Sequence, residues 1–233
     1  MPHRADSEPA TVLDRLRAAE HLLDTHTLSI GNRCWQIAAV RNHSALIQLA
    51  PEDGIFPFGY VLWESALALA ERIAGEPHRV AGKRVLELGA GVGLPGLVAH
   101  SLGAEVWLTD HDAGVLQIAR DNARRNGVGN IHAVTADWLN WTIDQQYDVI
   151  LGADIVYESA TWDAIERIFE RNLAPQGQIL LADPGRTQPL QLLGTLEQRG
   201  WSIDLSTLAV PETFATATPR AIDVSLCVLR PDA

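Results

Sequence analysis

The chain changes pattern near Lys83. Beyond it, short apolar runs alternate with stretches in which apolar residues recur every three or four positions. The runs at 84–88, 105–109, 131–135, 147–151 and 178–182 predict strands. The periodic stretches up to 102 and over 113–126, 162–173 and 189–199 predict helices. Two further strands, 201–205 and 223–229, have no helical pattern between them and should pair antiparallel. Strands that alternate with helices imply a parallel sheet covered on both faces. The runs at 147–151 and 178–182 are nearly all apolar, as buried central strands require.

Upstream the pattern is mixed. Residues 1–9 are polar with two prolines and are expected to be a flexible terminus. Residues 12–23 carry helical spacing. Residues 27–50 alternate and contain turn signals, which predicts an antiparallel ribbon ahead of the main sheet. Residues 51–59 read as a loop, and 62–73 as a helix that stops at Gly75-Glu76-Pro77. The expected whole is one α/β domain over 10–233. A helix-and-ribbon extension (10–59) precedes a catalytic core (60–233) with a seven-stranded, mostly parallel sheet and an antiparallel last strand.

Composition narrows the function. With 233 residues the chain suits one such domain. No apolar run reaches the roughly 18 residues of a membrane helix, and the first residues lack the apolar core of a signal peptide. Cys34 and Cys227 sit in strand-like apolar contexts and are expected to be buried free thiols, in keeping with a cytoplasmic location. No Cys/His cluster has zinc spacing, so no metal is expected. Asp and Glu number 29 against 18 Lys and Arg, a net charge of −11. Phosphate binding is driven by basic residues, so nucleic acid is an unsuitable partner. A cationic partner, such as a lysine-bearing protein segment, is compatible.

In open α/β sheets ligands bind at the carboxyl ends of the strands, and the candidate residues stand there. The first core strand runs into Glu87-Leu88-Gly89-Ala90-Gly91-Val92-Gly93-Leu94-Pro95-Gly96. Its glycines permit positive φ and close approach of a ligand to the backbone. Gly91, Gly93 and Gly96 also spell a dinucleotide fingerprint. Against that reading, Glu87 suits a ligand with a charged amino group, and the closing antiparallel strand is foreign to a dinucleotide domain. Asp110 ends the second strand, where a carboxylate can accept from both ribose hydroxyls. Asp137-Trp138 follows the third; the acid can accept from an adenine amino group and the indole can lie on the adenine face. Gly152-Ala153-Asp154-Ile155-Val156-Tyr157 follows the fourth and sets an acid and an aromatic three apart at the catalytic edge. Asp183-Pro184-Gly185-Arg186 follows the fifth and reaches the same edge. His111 and His132 are expected to be solvated.

These residues, with Phe58-Gly59-Tyr60-Val61-Leu62-Trp63-Glu64-Ser65-Ala66 upstream and Asn122 and Asn126 between, resemble the seven-β-strand protein-lysine methyltransferases of the methyltransferase-like family, over about 55–185. The resemblance implies a Rossmann-like class I methyltransferase fold and S-adenosylmethionine as cofactor. Carried over, Glu87, Gly89 and Gly91 hold its methionine part, and Asp110 its ribose. Asp137 and Trp138 flank the adenine, Trp63 and Ala153 line the cofactor pocket, and Asp154 and Tyr157 face the methyl-transfer site. DNA and glutamine amino-methylating enzymes carry Pro-Pro where this chain has Ile155-Val156, which points away from nucleobase and amide substrates. A monomeric, bacterial-type enzyme acting on a protein lysine is the expectation. Histidine or small-molecule methylation, or a non-catalytic cofactor-binding module, are the alternatives.

Overall fold

The computed structural model describes residues 11–19, 22–50, 56–213 and 220–232. The flexible terminus expected over 1–9 and most of the loop expected over 51–59 lie outside them. Five strands succeed one another in the core: β3 (Arg84–Leu88), β4 (Glu105–Asp110), β5 (His132–Thr135), β6 (Tyr147–Ala153) and β7 (Leu173–Asp183). Helices α4 (Leu94–Ser101), α5 (Ala113–Arg125) and α6 (Trp162–Asn172) connect them. After α7 (Thr187–Gln198), strands β8 (Trp201–Pro211) and β9 (Ala221–Pro231) close the chain.

The seven-stranded sheet has the order β5-β4-β3-β6-β7-β9-β8. The core pairs are parallel, and β9 runs antiparallel to both β7 and β8. The direct β8–β9 return, without a crossover helix, forces that direction. Strand β6 is almost wholly buried, as its apolar run requires of a central strand. The order reverses at β3, which lies between β4 and β6. Connections leave β3 and β6 toward opposite flanks, and a crevice opens at their carboxyl ends.

The N-terminal region departs from its expected boundaries. Helix α1 covers only Val12–Ala18, capped by Thr11 and Asp14 in a reciprocal box. Leu23 already begins β1 (Leu23–Ile30), which pairs with β2 (Arg33–Val40) across a Gly31-Asn32 turn; Gly31 takes a φ of +56°, as a tight hairpin needs. Residues 43–49, expected to extend the ribbon, form helix α2 (His43–Leu49). The Asn42 side chain accepts from the Ala45 N–H at 2.9 Å and starts it. Ala45, Leu46 and Leu49 are buried while Ile47 is exposed, a helical face that so short a window cannot tell from alternation. Cys34 is exposed, contrary to expectation, because it lies two residues past the Gly31-Asn32 turn, near the hairpin tip; Cys227 is buried as expected.

Two asparagines of α5 and its C-terminal boundary hold the ribbon to the core. Asn122 accepts from the Ala38 N–H at 2.8 Å and donates to Ala38 O and Val92 O, each at 3.1 Å. Asn126 accepts from the Gln36 N–H at 2.8 Å and donates to Gln36 O at 2.9 Å. Each amide thus satisfies backbone groups that the edge of a two-stranded ribbon leaves open. Helix α3 (Glu64–Gly75) packs beside α4 and carries Trp63 at its N-terminal boundary. Among the described residues, no helix is long and apolar enough to cross a membrane.

Candidate active site

A cavity of about 800 Å³ opens at the carboxyl ends of β3, β4 and β6. Every residue expected to hold the cofactor or face the methyl-transfer site lines it: Trp63, Glu87, Gly89, Gly91, Asp110, Asp137, Trp138, Ala153, Asp154 and Tyr157; the 183–186 loop, expected at the same edge, does not. These come from the ends of four strands and the start of α3, and the switch in strand order brings them together.

The floor is the loop after β3. Gly89 and Gly91 have φ of +58° and +52°. A Cβ on Gly91 would lie 2.9 Å from the Gly59 carbonyl oxygen, and one on Gly89 would meet Ile155 and Trp138 at 3.0 and 3.1 Å. Gly96 serves packing instead, since a Cβ there would strike Leu108 and Glu87. Glu87 is fully buried and accepts from the Gly96 N–H at 2.8 Å, at the start of α4. Burial pushes its carboxyl up to about 8; the Gly96 hydrogen bond opposes the shift and the neighbouring Asp110 adds to it.

This shift has a measurable consequence. Between about pH 4.5 and 8 the folded protein keeps a Glu87 proton that the unfolded chain has lost. Each rise in pH over that window therefore favours unfolding, and the penalty is complete above about 8. Urea unfolding of the ligand-free protein should show wild type losing stability relative to Glu87→Gln from pH 5 to 8, by on the order of several kcal/mol. Parallel pH curves for the two proteins would mean that Glu87 is not buried as a neutral acid.

Asp110 also acts on the loop. One carboxylate oxygen accepts from the Gly91 N–H at 3.0 Å, and the other accepts from the Asp112 N–H at 3.1 Å. His111 Nδ1 lies 3.2 Å from Asp110, which raises the imidazole above its ordinary value. His111 and His132 are both exposed, as expected, though each has a neighbour: His111 meets Asp110, and His132 stacks on Trp107 at 4.5 Å between ring centroids. Asp137 accepts from the Leu139 N–H at 3.0 Å and from the Asn140 amide at 2.7 Å. It thereby caps the turn that presents Trp138 to the cavity.

The mouth is aromatic. Phe58 lies 6.1 Å from Trp63 and 6.4 Å from Tyr157 between ring centroids, the second pair edge-on. Trp63 donates its indole N–H to Phe58 O at 3.0 Å. Phe58 and Tyr157 are both partly exposed, and burial followed by the Glu158 charge raises the Tyr157 phenol above its ordinary value. No helical turn follows β6 at once; Asp154 and Tyr157 reach the same cavity through an irregular segment. Phe58 stood in the quoted upstream segment, but no spacing rule marks a rim aromatic.

Asp154 adopts a φ of +57°, in the left-handed region. For a non-glycine residue this costs on the order of 1–3 kcal/mol and persists only where its surroundings impose it. Its N–H donates to Ala182 O at 2.8 Å. Its carboxylate is clasped by the Arg186 guanidinium: Nη1 donates to Oδ1, and Nη2 to Oδ2 at 2.9 Å. Arg186 donates its backbone N–H to Asp183 at 2.8 Å and starts α7. Sequence reasoning brought the 183–186 loop to this edge but assigned it no task.

Known proteins resemble this chain in sequence and in fold. The family described as lysine methyltransferase matches residues 24–190. Protein N-lysine methyltransferase METTL21A of Xenopus tropicalis is 38% identical over 133 residues, covering 55% of this chain and 61% of that protein. EEF1A lysine methyltransferase 3 of Mus musculus is 36% identical over 133 residues, covering 54% and 56%. The chain thus spans less than two thirds of these curated relatives. Both come from animals and lend no support to a bacterial-type member. Among solved structures, a T. thermophilus 16S rRNA methyltransferase aligns with a TM-score of 0.60 at 17% identity, covering 91% of this chain and 51% of that one. That likeness shows the fold. The family match runs from the ribbon through the glycine loop and Asp154 to the start of α7, most of the chain, and the chain belongs to the lysine methyltransferase family.

Proposed function

We propose that the chain transfers a methyl group from S-adenosylmethionine to a lysine side chain of a protein. One observation carries this reading: a glycine-floored cavity has Asp154, Tyr157 and Phe58 at its mouth. The family and the names of its relatives support it. So does the fit: about 800 Å³ is the size of a cofactor site, and its floor is backbone that a Cβ would block. Glu87 and the 89–91 loop would hold the methionine part, Asp110 the ribose, and Asp137, Trp138, Trp63 and Ala153 the rest. The cofactor, when bound, supplies an electrophilic methyl on a sulfonium.

The chain's own residues deal with the acceptor. A lysine ammonium, with a reference pKa of about 10.4, must lose a proton before it can attack. An aromatic, partly desolvated mouth disfavours the charged form. Asp154 accepts a hydrogen bond from the amine and aims its lone pair; Tyr157 and Phe58 wall the approach and hold the methylated ammonium, once formed, by cation–π contact. Positioning carries more of the rate than general-base catalysis. The surface charge of −11 favours a basic segment over nucleic acid. We read 10–233 as one monomeric catalytic domain, in keeping with the asparagine ties to the ribbon. The free thiols favour a cytoplasmic location.

The test is incubation with tritium-labelled S-adenosylmethionine and a lysate from cells lacking this protein. Labelled protein that yields methyllysine on hydrolysis is expected. Methylhistidine or methylarginine would change the target residue, label in free amines would change the substrate class, and cofactor binding without any label would leave a non-catalytic module.

A further inference from the structure

The clasp on Asp154 is more than a surface ion pair. The Asp154 carboxylate is 9% exposed, and both of its oxygens are held by parallel hydrogen bonds from one planar group. Such two-point contacts fix orientation as well as charge. Arg186 is itself held on two sides. Its backbone N–H is bound to the buried Asp183, and its Nη1 lies 3.6 Å from the other Asp183 oxygen. Its guanidinium also lies 6.0 Å from the Tyr157 ring. The 183–186 loop therefore reaches both residues at the mouth of the cavity.

Asp154 and Tyr157 line the cavity, whereas Asp183 and Arg186 do not. The guanidinium thus holds Asp154 from the loop after β7 without being part of the cavity wall. A carboxylate has about four lone-pair sites, and the clasp takes two. The guanidinium also offsets the Asp154 charge, which by itself would favour the protonated form of an incoming amine.

We propose that Arg186 is a positioning residue for methyl transfer: it holds the Asp154 carboxylate at two points and so fixes the direction in which its free lone pairs meet the acceptor nitrogen. This rests on the methyltransferase reading above. The charge and the two-point geometry are both needed, so lysine replaces arginine only in part.

The experiment compares wild type, Arg186→Ala and Arg186→Lys on the lysate protein that wild type labels. Arg186→Ala should lose at least about tenfold in kcat, with half-saturation by that protein and calorimetric affinity for S-adenosylhomocysteine within a few-fold of wild type. Arg186→Lys should recover part of the rate, and millimolar guanidinium should partly restore Arg186→Ala where sodium does not. Unfolding of Asp154→Asn, Arg186→Ala and the double variant provides a readout without turnover. The double variant should be no less stable than Arg186→Ala alone, because the two side chains share one interaction. Should Arg186→Ala fail to fold, Arg186→Lys carries the kinetic comparison with a smaller loss.

An unchanged kcat in Arg186→Ala overturns the positioning role, as do losses of stability that simply add. A faster variant with tighter half-saturation overturns it too, since the guanidinium would then be a competitor of the acceptor. A wild type that labels no protein overturns the methyl-transfer reading itself, a result separate from the stability cycle.

Discussion

Asp154→Ala is expected to fold, to bind S-adenosylmethionine within a few-fold of wild type, and to methylate at least about 100-fold more slowly, the loss that follows when a reacting group is misplaced. An acid that only orients the acceptor contributes to the transition state and little to cofactor affinity. The φ of +57° requires a second variant. Alanine fits that region poorly, whereas asparagine enters it readily, so Asp154→Asn should be the more stable of the two while losing the carboxylate charge. Arg186 keeps Asp183 as a partner in both, so neither strands a cation. Near-normal turnover in both variants would remove Asp154 from the chemistry. Failure of both to fold would make it a structural tie between the loops after β6 and β7.

Gly91→Val should abolish measurable binding of S-adenosylmethionine, a loss of at least about 100-fold from strain and steric blockage together. The added Cβ would lie 2.9 Å from Gly59 O, a backbone atom in the segment that roofs the cavity, and Gly91 has a φ of +52°. The bulk and the strain act on one loop, whose N–H is bound to Asp110 at 3.0 Å. Gly82→Ala is a control for backbone strain away from the cavity. Gly82 has a φ of +70°, but a Cβ added there would meet nothing within 4 Å, so that variant should lose some stability and bind the cofactor normally. Unchanged calorimetric affinity in folded Gly91→Val would show that the glycine loop is not the cofactor floor.

On the proposed reading, the target residue would be decided at the mouth. Phe58, Trp63 and Tyr157 form an apolar rim beside a clasped carboxylate, an arrangement that suits a slender amine able to shed its proton. Relatives of this chain carry names for different targets: EEF1A lysine methyltransferase 3 and, at 31% identity, the histone-arginine methyltransferase METTL23 of Mus musculus. The floor proposed for the cofactor is therefore a poor guide to the acceptor, and hydrolysis of the labelled protein is the measurement that separates the targets.

The sequence by itself determined the alternating architecture, because burial on both faces forces near-continuous apolar runs in β6 and β7 and helical periodicity between strands. It also determined where the candidate site residues stand. Strand ends are local features, and Glu87, Asp110, Asp137 and Asp154 each lie within or just beyond the end of a strand-like run, so parallel strands bring them to one edge. Only the tertiary structure decided matters of pairing across distance. Residues 43–49 became a helix because Asn42 caps them and a buried face awaited them, which seven residues of pattern do not reveal. Cys34 came to lie outside because the hairpin tip projects beyond the core. Asn122 and Asn126 found their partners 84 and 90 residues away. Asp154 and Arg186, 32 residues apart, met because β6 and β7 end side by side, which turned a loop without an assigned task into the clasp on the acid. Spacing within one element can be read from a chain, but a hydrogen bond between two loops depends on strand register, and register is set by the packed sheet.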